Sequence, residues 1–418
     1  MKISAIALVL FFLAQAIDAP AGEQRKPPPP LTDNARTLAG GNAAFAMDLY
    51  AKLRSQEGNL FLSPHSISTA LGMTYAGSRG DTASQMRDVL HFELDQGQLH
   101  PSFKNLTAHL QAREKEGELE LRVANGLWGQ KGLTFVKEFV QCVKEHHDAE
   151  LHAVDLQHST EKVRQTINAW VEEQTKGKIK DLFQQRVLDD VTALVLVNAI
   201  YFKGNWDRPF EKRATREAPF TLLTGKKIDV PMMQKEDEFG FLDKKTFKVV
   251  QLPYAGGDLA MVILLPNKSD GLPELEKSLT LDQVTGCLGK LSHRDVNVYL
   301  PRFRMSSMFR LDETLRQMGM KDLFSKEKAD LSGLLKPAQV EGPVYIQAVV
   351  HKAFVDVNEE GTEAAAATGV AVTAEAASIS MPPVIFRADH PFVFMIRDRQ
   401  SDSILFMGRV VDPTEGSE

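Results

Sequence analysis

Cysteine is nearly absent: Cys142 and Cys287 are the only two in 418 residues. They allow one disulfide at most, which excludes a cystine scaffold and leaves the fold to rest on apolar burial. Nothing in the sequence brings them together, so they read as two separate thiols. A basic excess is missing as well. Lysine and arginine number 49 against 55 aspartates and glutamates, a formal net charge of −6, whereas phosphate binding needs a concentrated cationic face. Nucleic acid is therefore set aside as a partner. The apolar run Ile3–Ala14 is too short to span a bilayer, so no membrane partner is expected. Also missing are the phosphate loop G-x-x-x-x-G-K-[ST], the dinucleotide fingerprint G-x-G-x-x-G and the nucleophile elbow G-x-S-x-G, which weakens an enzyme reading.

What is present is the composition of an ordinary soluble globular protein, 43% hydrophobic and 25% charged, so disorder is excluded as the main state. Lys2 precedes the apolar run and small residues follow at Ala16, Ala19 and Ala21. That order of parts predicts a secretory signal peptide over 1–21, with Ala19-Pro20-Ala21 as an A-x-A cleavage site and a cut after Ala19 as the other option. The mature protein is expected to be secreted and extracellular, or periplasmic if the source is bacterial. Residues 22–34, with Pro27–Pro30 at their centre, predict an extended tail.

Helical spacing of Leu38, Phe45, Leu49 and Leu53 predicts a helix over Thr37–Arg54, and further helices fit Thr82–Leu90, Leu99–Lys115, Val136–His146 and Thr160–Thr175. Asn59–Gly77 reads as a short strand running into a buried helix of small residues. Strands fit Leu119–Gly129, Thr192–Lys203, Lys248–Pro253, Leu259–Pro266, Val296–Arg304, Ile346–Val357, Phe392–Arg397 and Ile404–Val410. Helices dominate early and strands late, which predicts an α+β fold rather than alternating βαβ units.

His146, His147 and His152, with Asp148 and Glu150, form the densest metal-like cluster, but the spacing is not H-E-x-x-H and the stretch reads as the solvated end of a helix. No metal or cofactor is implied. Asn105-Leu-Thr107 and Asn267-Lys-Ser269 have the form of glycosylation acceptors. The unusual segment is Gly361–Pro383. It lacks lysine, arginine and aromatics and is too long for an ordinary connection. Read as a strand, it puts Thr362, Ala364, Ala366, Thr368, Val370, Val372 and Ala374 on one face and Glu363 and Glu375 on the other. The first face could be buried without desolvating a charge; a flexible alanine-rich linker would have the same composition.

Six stretches then carry a family resemblance: Asn59–Met86, Val195–Trp206, Leu300–Phe303, Gly319–Gly333, Val350–Thr368 and Phe386–Ile396. In this order they resemble the serpins, over nearly the whole chain. The resemblance implies one serpin domain over 35–413 followed by a short tail, 414–418. Its fold would have three β-sheets, about nine helices and an exposed reactive-centre loop at about 359–385. It also implies a serine protease inhibitor, not an enzyme, that acts as a suicide substrate. The protease attacks the loop, forms an acyl-enzyme, and is trapped when the freed segment inserts into the main sheet. At ~1 kcal/mol per ladder hydrogen bond, a strand of about a dozen residues releases on the order of ten kcal/mol, so the uncut fold must be kinetically trapped.

By the same resemblance, Glu359, Gly361, Thr362, Glu363, Ala364, Ala365, Ala366, Ala367 and Thr368 form the hinge of an inhibitory member. Ser63, Ser66, Asn198 and His351 form the polar cluster that controls sheet opening. Trp206 marks the insertion point, and Arg302 is a candidate partner for Glu359. From the residues alone, Trp206 reads as plain packing and His351 as a satisfied core histidine. Counting fifteen residues from Gly361 puts the reactive bond between Glu375 and Ala376. The loop is longer than in shorter-loop relatives, which leaves Ala374, Ala376, Ala377 and Ile379 as alternative cleavage positions. The targets expected are Glu-specific, elastase-like or subtilisin-like proteases. No basic residue lies between Gly361 and Phe386, so trypsin-like enzymes fit poorly. A serine protease held covalently is the expected partner, with cysteine proteases the other class; the protein itself is expected to be a monomer. The competing reading is a non-inhibitory serpin serving as chaperone, carrier or storage protein.

Overall fold

The computed structural model describes residues 29–114, 119–147, 149–185, 187–188, 194–336, 344–362 and 382–415. The export segment, Glu363–Thr368 of the hinge and every candidate reactive-bond residue lie outside them.

In chain order, the first part holds α1 (Asp33–Leu53), β1 (Leu60–Leu62), α2 (Pro64–Gly77), α3 (Gly80–Val89) and α4 (Gln96–Gln111). Next come β2 (Leu119–Gln130), α5 (Lys137–His146), β3 (Glu150–Val154), α6 (Leu156–Gln174) and β4 (Leu194–Asn205). A strand-rich stretch follows: β5 (Arg216–Thr221), β6 (Lys227–Asp243), β7 (Phe247–Pro253) and β8 (Leu259–Pro266). After α7 (Leu272–Ser278) and α8 (Leu281–Leu288) come β9 (Ser292–Pro301), β10 (Phe303–Arg310), α9 (Asp312–Met318) and β11 (Ala348–Val357). The chain closes with β12 (Gly361–Thr362), β13 (Val384–Arg387), β14 (Phe392–Asp398) and β15 (Ile404–Val410).

The helices expected from periodicity are present, with earlier starts where a cap allows it. Thr32 accepts from the Ala35 N–H and starts α1 ahead of its apolar stripe; in α6, Asp155 caps a short first turn that ends in a kink at Ser159, after which the helix starts at the expected Thr160. The two cysteines are unpaired, Cys142 half-buried and Cys287 buried.

Among the described residues the strands form two hydrogen-bonded sheets. One runs β1-β15-β14-β8-β7-β6-β9-β13, with β5 also on β6; the other runs β10-β11-β12-β4-β2-β3, with β11 also paired directly to β4. The third sheet implied by the resemblance appears as a lobe of the nine-stranded one. β6 is 17 residues long: it pairs with β5 over Lys227–Met232, with β9 over Met232–Phe241 and with β7 over Gly240–Asp243, so one strand joins both lobes. The single strand expected over Val296–Arg304 is two strands. β9 pairs with β6 in one sheet, β10 pairs with β11 in the other, and the chain changes sheets at Arg302.

β4 is covered on both faces. Leu194, Leu196, Ile200 and Phe202 enter the main core, with α1, α2 and the nine-stranded sheet, while Val195, Val197, Ala199 and Tyr201 pack beneath Val163, Ile167 and Val171 of α6. Its apolar run shows no period-two alternation because both faces are dry. All of α2 is buried, and its small residues make that possible: a Cβ on Gly72 would stand 2.7 Å from the Phe103 ring.

Candidate functional site

The site is the seam between β4 and β11. From Ala348–Phe354 these strands pair in parallel with Val195–Tyr201, which closes the sheet. Above Phe354 they part, and β12 occupies the gap. Gly361 pairs with Asn205, and Thr362 pairs antiparallel with Gly204 on one side and Val357 on the other. Gly361 and Thr362, near the start of the loop, are thus already in the sheet, where the resemblance suggested an exposed loop. Glycine is required at 361, because φ is 154° and a Cβ there would lie 2.1 Å from the Gly204 carbonyl oxygen.

The turn that delivers β12 is clamped from outside. The Asn358 N–H donates to the Gly361 carbonyl at 2.8 Å, the Trp206 N–H to the Glu360 carbonyl at 2.9 Å and the Phe210 N–H to the Glu359 carbonyl at 2.7 Å. The Trp206 indole N–H donates to the Asn358 carbonyl at 3.0 Å, and its ring stacks on Tyr254 with centroids 4.8 Å apart. Glu359 is 2% exposed. Its carboxylate accepts from Arg302 Nε at 2.8 Å, from Arg302 Nη2 and from the Thr215 hydroxyl at 2.5 Å. Burial alone would raise this carboxyl; the hydrogen bonds from Arg302 and Thr215 outweigh it and hold the group below its ordinary range. Lys212 pairs with Glu360 on the rim.

Lower on the same seam, Ser63, Ser66, Asn198 and His351 come together in one buried cluster. The Ser63 N–H donates to His351 Nε2 at 3.0 Å, which leaves the ring hydrogen on Nδ1, facing Asn198 Oδ1 at 2.5 Å. Asn198 Nδ2 donates in turn to Ser66 Oγ at 2.6 Å and to Asn125 Oδ1 at 2.5 Å. Ser63 Oγ donates to the Leu405 carbonyl at 2.6 Å and also caps α2. The network therefore ties β2, β4 and β11 to the start of α2 and to β15. Burial pushes the His351 imidazole down to about 3, so it is neutral near pH 7.

Among the residues of the site that were not singled out from sequence are Tyr254, Thr215, Asn125, Phe210 and Lys212. Asn125 stands in a strand that also carries Glu120, Arg122 and Gln130, so no pattern marks it, and Thr215 has no signal either. The histidines at the end of α5 go elsewhere. His147 Nε2 lies 2.9 Å from His100 Nδ1, and His152 stacks on Trp128 with centroids 3.8 Å apart. Among the described residues no three His, Cys, Asp or Glu side chains are grouped to hold a metal.

The central sheet is thus closed by one parallel pair and parted above it by the chain's own β12. The profile described as Serpin (serine protease inhibitor) matches residues 40–413. The chain belongs to the serpin family, and its place there is that of a protease inhibitor, not an enzyme. Leukocyte elastase inhibitor of Homo sapiens is 42% identical over 387 residues, covering 90% of this chain and 99% of that one. The Bos taurus protein of the same name is 44% identical over 386 residues, with the same coverage. Among solved structures, Serpin48, a highly specific serpin of the insect Tenebrio molitor, matches with a TM-score of 0.80 at 32% identity, covering 92% of this chain and 100% of that one.

Proposed function

We propose that this protein inhibits a serine-type endopeptidase as a suicide substrate, forming a covalent complex as a secreted monomer. The observation that carries this reading is the placement of β12. If the loop inserted in the same register, each further residue would step back by one along β4 and β11, so the pairing of Thr362 with Gly204 and Val357 would bring Thr368, six residues on, against Asn198 and His351. Insertion would therefore feed the small residues Ala364–Ala367 into the seam and deliver Thr368 between the two side chains whose hydrogen bond closes it. The parallel β4–β11 pairing would be replaced by two antiparallel ladders, with a gain in hydrogen bonds that makes the step downhill.

The chemistry belongs to the target. Its serine oxygen attacks the Glu375 carbonyl carbon, its histidine takes the hydroxyl proton and passes it to the departing Ala376 nitrogen, and an ester to Glu375 remains. Insertion then competes with hydrolysis of that ester. Small and aliphatic residues at Ala374, Ala376, Ala377 and Ile379 support elastase-like or subtilisin-like targets, and the names of the mammalian relatives support the first of these. The apolar start of the chain supports secretion.

The test is brief exposure of the mature protein to pancreatic elastase, a Glu-specific endopeptidase, subtilisin and trypsin, followed by SDS gels and intact mass. We expect an SDS-stable adduct and a released C-terminal peptide beginning at Ala376 or a near neighbour. Cleavage within 370–381 with no adduct from any protease would overturn the proposal in favour of a non-inhibitory role.

A further inference from the structure

We infer that Tyr254 is a positioning residue for loop insertion: its hydroxyl holds Thr362 in the first rung of the seam while the protein is still uncut. The inference rests on the inhibitory reading above and adds a residue to it. Tyr254 is fully buried just after β7, in an isolated antiparallel bridge with Trp206. Its ring is fixed on two sides, stacked 4.8 Å from Trp206 at an interplanar angle of 9° and set edge-on to Phe202 at 5.2 Å. The hydroxyl lies 2.7 Å from Thr362 Oγ1, and Thr362 has no exposed surface.

The neighbouring rung residue adds no side-chain grip, since Gly361 packs backbone against backbone on Gly204. Thr362 is therefore the side chain that anchors β12. The aromatic pair that fixes Tyr254 also holds the turn, because Trp206 receives Asn358 and Glu360 through its two N–H groups. Tyr254 and the turn are thus set as one unit.

The consequence is kinetic. After acylation, insertion must outrun hydrolysis, and the first rung is the costly one. It orders chain before the hydrogen bonds of later residues repay that order, much as the first turn of a helix does. A rung already formed removes that delay. Loss of the Tyr254–Thr362 bond shifts the equilibrium between formed and released rung toward release by about fivefold for one ordinary hydrogen bond.

The experiment compares the wild type with Tyr254→Phe, Thr362→Val and the double variant. Two quantities are read: the ratio of cleaved to complexed inhibitor with a protease that forms the adduct, and hydrogen exchange across 358–362 in the uncut proteins. We expect each single variant to raise the ratio by up to about fivefold, the double variant to be no worse than the worse single, and protection at 361–362 to fall in all three. Unchanged ratios in both single variants would overturn the inference, as would effects that multiply in the double variant. If the wild type forms no adduct with any protease, the inhibitory reading fails and exchange alone decides. Protection that Tyr254→Phe abolishes supports the latch, and open-loop exchange in the wild type overturns it.

Discussion

With its Nε2 held by the Ser63 N–H, His351 cannot accept a proton without losing that bond and setting N–H against N–H. Its folded-state value, about 3, lies below the ordinary 6.5 of an unfolded histidine because the ring is buried. Between those values the unfolded chain binds a proton that the closed cluster refuses, so stability falls as pH drops through the window and is unaffected by this group above it. His65 and His100, each lowered to about 4 chiefly by burial, act in the same direction. Each such histidine contributes a slope of about 1.4 kcal/mol per pH unit. Urea midpoints of the uncut protein should therefore decline from pH 6.5 toward pH 4.5, and more shallowly in His351→Gln. Equal slopes in the two proteins would show that His351 stays charged or solvated in the fold.

Among the elements, those with a strong apolar period or a continuous apolar run were legible and those with neither were not. β8 and β15 match their expected limits residue for residue, because dry strands bounded by turns leave a clear mark. β5 and β6 were missed: β6 carries Lys235, Glu236, Asp237 and Glu238 through its middle, and such a strand reads as a polar loop. α7, α8 and α9 are 7 or 8 residues long, about two turns, too few for a period to stand out. The break at Arg302 was legible in principle. Buried residues alternate as Val296, Val298 and Leu300 and then slip by one to Phe303 and Met305, and that slip marks the change of sheets. For the site, the motif residues were found through family resemblance, whereas Tyr254 comes from a part of the chain with no polar pattern to mark it. The register of β12 also makes the loop's face testable. Ala366 would come opposite Ile200, a core position. Ala366→Arg should thus turn the inhibitor into a substrate, with nearly all of it recovered cleaved and little adduct on an SDS gel. Undiminished adduct formation would mean that the loop inserts in another register.

For the whole molecule, the proposed mechanism makes the uncut fold the less stable of two arrangements of the same chain. Cutting the loop with a protease that does not become trapped should let it insert, with a gain on the order of ten kcal/mol and a large rise in the urea midpoint. A cleaved form that unfolds where the uncut form does would rule out insertion. The occupied rung at Gly361 and Thr362 has a further consequence for crowded solutions. A loop from a second molecule that seeks the same seam meets it with its upper end already filled by a tethered rival. A short tether sustains an effective local concentration in the millimolar range, so a neighbour present at micromolar levels loses the contest by about a thousandfold. Self-association of the uncut protein should therefore depend less on how much is present than on how often its own hinge lets go.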